Sequence, residues 1–232
     1  MRGLAAALWV VCSGVAAASG TDSVVGADSG AAASHVAVTG DAAAFAAAVA
    51  AYRAGEPGAA FAQFLILARQ DMPQAQFNLA LLFRAGEGVP QNRREALYWA
   101  WRARIGGLPQ AGLLVAELLA SVDPEQRGLL ADRLLADLAP ARAAANGRMI
   151  AASALVESEL RAEPDTMQVY VWYSIAAALS APGAAKARDA SFAALLPEDQ
   201  AAAEDAALQG FQEWCAALAA PVQACAAVQK SP

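Results

Sequence analysis

The sequence is nearly without histidine: His35 is the one instance in 232 residues. That shortage removes the ordinary Ser-His and Cys-His nucleophilic schemes. Zinc ligation goes with it, because His35 stands in a Gly/Ala/Ser-rich stretch and the three cysteines show no ligand spacing. Basic charge is also short. Sixteen Lys and Arg face 22 Asp and Glu, for a net charge of −6 and a pI near 4.8, a field that does not invite nucleic acid. Aromatic residues make up 7%, and β-branched residues are sparse beside alanine, which argues against a sheet protein. Gly86 and Gly88 have no preceding strand, no third glycine at the expected spacing and no Gly-Lys-Ser/Thr, so they do not make a phosphate loop. Thr166 to Ala185 carries no charge, yet Gln168, Ser174, Ser180 and Pro182-Gly183 interrupt it. It reads as a buried helix rather than a membrane span. Carboxylates such as Glu117, Asp123, Glu157, Glu159 and Asp165 fall at helix ends and polar faces, where they cap and solubilise. We expect no enzymatic activity, no cofactor and no metal.

What the chain has in abundance is alanine, 66 of 232 residues, the best helix former. The class expected is all-α, with length for one or two domains. Residues 1–20 read as a secretory signal peptide: Arg2 as the positive start, Leu4 to Val15 as a short apolar core, and Ala16 to Gly20 as small residues for cleavage. Cys12 is a filler of that core, since Trp9-Val10-Val11 before it are too bulky for a lipidation site. Residues 21–40 read as a disordered leader, rich in Gly, Ala and Ser. Export places the chain in the periplasm or outside the cell and leaves Cys215 and Cys225 in an oxidising compartment. A continuous helix would hold them about 15 Å apart, too far to bond. Pro221 between them lets the tail fold back, so the two either close a disulfide or serve as small buried hydrophobes.

From Asp41 the chain alternates helix-like runs with Gly, Pro or Asp punctuation. "PQAQFNLALLFRAG" from Pro73 and "PQAGLLVAELLAS" from Pro109 set a period of 36 residues, which continues from Ala111 to Gly147 and "GRMIAASALVESEL". Trp99 and Trp172 lie in second helices of the same pattern, 73 residues apart. Each unit predicts a helical hairpin that cannot bury its apolar face alone, so hairpins stack into an α-solenoid. It occupies residues 41–225, closes with C-terminal capping helices and leaves a tail at 226–232. Gly86 sits where a helix end needs a left-handed residue, Pro90 limits extension and Asn92 caps the next helix.

These residues resemble the Sel-1-like repeat family, relatives of the tetratricopeptide repeat. Asn78-Leu79-Ala80, Gly86-x-Gly88-Val89, Ala96-Leu97-Tyr98-Trp99, Ala103 and Gly107 fall where that family's pattern places them. The next unit departs, with Val122-Asp123-Pro124 replacing the turn, while "YVWYSIAAAL" keeps the second-helix signature. The likeness spans roughly Phe45 to Trp214, and "GAAKARDASFAALLPEDQ" looks like the closing helices of bacterial members. It implies a protein-interaction scaffold, an adaptor or assembly role, and in some exported bacterial members a grip on an envelope signalling receptor. In related repeats the first helices line the inner surface; the matching positions here include Gln76, Asn78, Arg84 and Glu117. Asn78 also has a purely structural reading, as a hydrogen-bonding residue within the repeat, which we favour.

Two other functions compete. Arg94, Tyr98, Trp101 and Arg102 share one helical stripe, and exposed they would form an aromatic-basic platform for an anionic glycan, acidic peptide or cell-wall material. We favour the alternative, in which Tyr98 and Trp101 pack on the neighbouring unit under solvated arginines. The degenerate repeats also suit a structural envelope protein with no single partner.

Overall fold

The computed structural model describes residues 29–220 and 222–230, with side chains over 40–220 and 222–226. The signal peptide, Cys12, the first part of the leader, the side chain of His35 and most of the tail's side chains lie outside these described residues. The rest is helical: α1 (Ser29–Arg53), α2 (Pro57–Arg69), α3 (Pro73–Ala85), α4 (Arg93–Ile105), α5 (Pro109–Leu119), α6 (Pro124–Ala143), α7 (Gly147–Leu160), α8 (Thr166–Ala178), α9 (Ala184–Ala193), α10 (Pro197–Ala217) and a closing 3₁₀ helix (Gln223–Lys230). No strand occurs among the described residues. Helix α1 starts inside the stretch assigned to a disordered leader, because its alanines favour helix strongly enough to carry Gly40 with them.

The chain divides between Ser121 and Val122 into two compact units, at the point where the repeat's turn departs from its pattern. In the first unit each helix from α1 to α5 packs on the one before it; in the second, α6, α7, α8 and α9 do the same, and α10 returns onto α8. Both units are therefore stacks of helical hairpins, the α-solenoid architecture.

Sequence explains the packing. Small residues let the backbones approach: Ala60, Ala75, Ala96 and Ala103 are fully buried, with Phe64, Leu79, Leu82 and Leu97 filling the grooves between them. Ring pairs Phe45–Phe64 at 5.6 Å and Phe61–Phe83 at 5.2 Å join α1 to α2 and α2 to α3. In the second unit Ile150, Tyr170, Val171, Ile175, Ala176 and Leu195 form the core.

The period is not strict. First helices open at Pro73, Pro109 and Gly147, steps of 36 and then 38 residues. Gly147 thus occupies the place of the two prolines rather than of Ala75 and Ala111. The reason is α6, which at 20 residues is longer than the 13 of α4. Backbone conformation marks the period as clearly as sequence does. The second helices α2, α4, α6 and α8 are each followed by a left-handed residue: Asp71, Gly107, Ala145 and Ser180.

The turn after α3 works as its residues predict. Gly86 ends the helix at φ 76° and Asn92 caps α4 by accepting from the Glu95 amide at 3.1 Å. Gly88 has a further reason to be glycine: a Cβ there would stand 2.3 Å from the Pro57 carbonyl oxygen. The turn therefore lies directly on the start of α2. Asp123, Asn146 and Asp165 cap α6, α7 and α8 in the same way as Asn92.

Helix α10 stops at Ala217, short of Pro221, and Cys215 and Cys225 form a disulfide across the reversal with Cα atoms 5.7 Å apart. Helix α8 covers only 13 residues of the charge-free run. No helix among the described residues is long and apolar enough to cross a membrane.

Candidate functional site

Four of the eight residues expected to meet a partner are buried. Gln76 is 2% exposed and donates to the Ala68 carbonyl at 3.1 Å and to Asp71 at 3.3 Å, tying α3 to the end of α2. Asn78 is 3% exposed and donates to the Gln74 carbonyl at 2.9 Å, the structural role favoured for it. Tyr98 and Trp101 are core residues, Trp101 with no exposed surface at all. The physical reason is the same for the aromatics and for Gln76 and Asn78: a helix inside the stack has neighbours on two flanks, α4 lying against both α3 and α5, so a second stripe is covered as fully as the first. No aromatic platform exists at this position, and the glycan reading built on it falls.

Two arginines of α4, Arg102 and Arg104, lie over the buried rings. Arg102 pairs with Asp71, donates to the Tyr98 hydroxyl at 2.8 Å, and stands 5.8 Å and 6.0 Å from the Tyr98 and Trp99 ring centres. Burial opposes its charge, but Tyr98 and Asp71 more than restore it, and its pKa is raised. Arg104 covers Trp101 at 4.7 Å. Arg94 is exposed near the start of α4.

The structure does bring two expected residues together. Arg84 of α3 and Glu117 of α5 form a two-pronged ion pair at 3.0 Å and 2.8 Å, with their side chains 31% and 59% exposed. One turn before Glu117, Leu113 is 80% exposed and projects from the same side of α5. This face joins a fixed charge pair to an uncovered large apolar side chain.

Sequence reasoning missed a second place. In the second unit a cavity of about 390 Å³ opens among α6, α7, α8 and α10, lined by Arg142, Ile150, Gln168, Trp172, Glu213 and Trp214 among others. Arg142 reaches it from the end of α6. Its Nη1 donates to the Leu135 carbonyl and to the Ser153 hydroxyl, both at 2.9 Å, and its guanidinium stands 5.5 Å from the Trp172 ring centre. Trp214 donates its indole N–H to the Arg142 carbonyl at 3.2 Å, 72 residues along the chain. Burial lowers the Arg142 pKa. Trp172 was legible only as a repeat feature, and nothing in the local sequence of Arg142 set it apart from the other arginines.

A third cluster is structural. Glu157, 5% exposed, accepts from Arg161 Nε at 2.7 Å and from the Asp165 amide at 3.2 Å, and Arg161 also pairs with Asp132 of α6 at 2.6 Å. The hydrogen bonds to Glu157 and Asp132 raise the Arg161 pKa. This carboxylate fastens the link between α7 and α8.

Fold and sites together define a helical-repeat protein of stacked hairpins. No protein-family model and no curated protein sequence matches the chain. Among solved structures it is similar to c5321, described as a protective antigen present in uropathogenic Escherichia coli strains displaying an SLR fold. The identity is 18% and the TM-score 0.35, over 83% of this chain and 48% of that one. The chain thus spans about half the length of that structure. The architecture given above rests on the helix packing alone.

Proposed function

We propose that this chain is an exported helical-repeat scaffold that binds another protein in the bacterial envelope, without chemistry of its own. The observation that carries the reading is the α3–α5 face, where Leu113 stands 80% exposed beside the Arg84–Glu117 pair. A leucine left in water forgoes roughly 1.5–3 kcal/mol that burial would return, and the ion pair beside it supplies register and charge complementarity to a partner. The stack holds both in place before binding, which lowers the ordering cost. The Arg2-to-Gly20 segment and the disulfide support export to an oxidising compartment.

The test is crosslinking in intact cells, with tagged chain recovered from the envelope and its partners identified by mass spectrometry. The expected result is one dominant envelope protein, lost with Leu113→Asp or with Arg84→Glu while the variants keep wild-type melting behaviour. Recovery of the chain only with itself would replace the scaffold reading with a structural one, and recovery of wall glycan would likewise overturn it.

A further inference from the structure

We propose that the cavity of the second unit is a ligand site for a small apolar monocarboxylate, bound through Arg142 between the rings of Trp172 and Trp214. The site belongs to α6, α7, α8 and α10 and does not depend on the partner reading.

Three observations converge on it. First, no carboxylate among the described residues pairs with Arg142. Arg102 and Arg161 each hold an aspartate, and Arg84 holds Glu117. Arg142 has only a backbone carbonyl and a serine hydroxyl, both on Nη1. A guanidinium carries five donors in a planar fork that matches a carboxylate edge, so Nε and Nη2 remain for a ligand. Second, the guanidinium is held in place: it stands over Trp172 and its own backbone is held by Trp214. Its position is set before any ligand arrives. Third, the walls are mostly apolar, with Ile150, Trp172 and Trp214 beside few polar groups, and a volume of about 390 Å³ lies at the small end of ligand pockets. That space suits one aromatic or branched aliphatic body.

The charge of the ligand follows from the acidic group present. Glu213 also lines the cavity, accepting from Gln209 at 2.8 Å. Arg142 is the one cation among the described lining residues, so a monoanion leaves the site one negative charge in excess beside Glu213, and a dianion such as phosphate would leave two. Gln168, at the start of α8, adds a neutral hydrogen-bonding group on the wall. The carboxylate can come from a free acid or from the C-terminal residue of a peptide, and the chemistry of recognition is the same.

Calorimetric titration of the full chain tests the assignment, using phenylacetate against phenylacetamide and the tripeptide Gly-Gly-Phe against its C-terminal amide. Saturable heat with an acid, weakened about tenfold or more in the matching amide, is the expected result, since a hydrogen bond to a charged group is worth about that factor. Tighter binding of phenylacetate identifies a free acid as the source; tighter binding of the tripeptide identifies a chain terminus. Glu213→Gln, an exposed position, should tighten the acid by removing repulsion. Arg142→Gln should abolish binding but also cuts the tie to Ser153. Ala143→Phe, at an exposed position lining the same cavity, therefore adds bulk to the space while keeping the arginine, and should abolish binding in a chain that melts normally. No heat with either acid at millimolar concentration, equal affinity for acid and amide, or unchanged binding in Ala143→Phe would each overturn the proposal.

Discussion

Tyr52 holds its proton more tightly in the fold than a free tyrosine does. Its hydroxyl donates to Glu87 at 2.5 Å, joining α1 to the turn after α3. Burial, then the hydrogen bond to Glu87 and that group's charge, push the phenol up to about 12. A free tyrosine titrates near 10, so the folded state binds this proton more tightly than the unfolded one. The stability it contributes is complete below about pH 10 and is lost as pH rises toward 12. Urea unfolding of the wild type should therefore show a falling midpoint across that window. Tyr52→Phe should be less stable at pH 8 and show a shallower decline from pH 10 to 12. Parallel slopes in the two proteins would remove Tyr52 as the cause.

At the scale of helices, the hairpins were legible because their signals are local. Pro-Gln-Ala at Pro73 and Pro109, the glycines of the turn and the caps Asn92, Asp123 and Asp165 all act within one turn of where they stand. The positions that misled are those where one helix serves two neighbours. Gln76 looks like a polar inner-face residue in sequence, and only the packing of α2 and α4 on α3 shows it enclosed, whereas Asn78 holds the structural role favoured for it. Glu157 was placed on a polar face for the same reason: its partners include Arg161 one turn on, but the pair is completed by Asp132 of another helix. The two acids should separate cleanly on mutation. Glu157→Ala strips a buried partner from Arg161 and leaves the Asp165 amide without an acceptor, a loss of about 2–3 kcal/mol, less than for a fully buried pair because Arg161 keeps Asp132. Asp132→Ala removes an exposed partner and should cost under about 1 kcal/mol. Urea denaturation of both variants measures the difference, and equal losses would show that Glu157 does not anchor the link.

For the chain as a whole, helix content was written in its alanines, but the division between Ser121 and Val122 and the ligand cavity were not, since the cavity gathers side chains from Arg142 to Trp214 across four helices. Its closure depends on α10, which has no counterpart in the repeat and packs on α8 as the last long helix. The disulfide ties the end of α10 to the tail. Cys215 and Cys225 are buried, 7% and 1% exposed, and the bond turns the closing 3₁₀ helix back onto α10, which it contacts. Linking residues ten apart removes about 2–3 kcal/mol of freedom from the unfolded chain. Reduction, or Cys225→Ser, should lower the stability of the second unit by that amount, read as faster hydrogen exchange in the C-terminal half of α10. The same change should weaken any ligand held by Trp214, because that ring lies next to Cys215 and lines the cavity. Exchange in α10 that is indifferent to reduction would mean that packing on α8 alone fixes the helix, and that the bond serves only the tail.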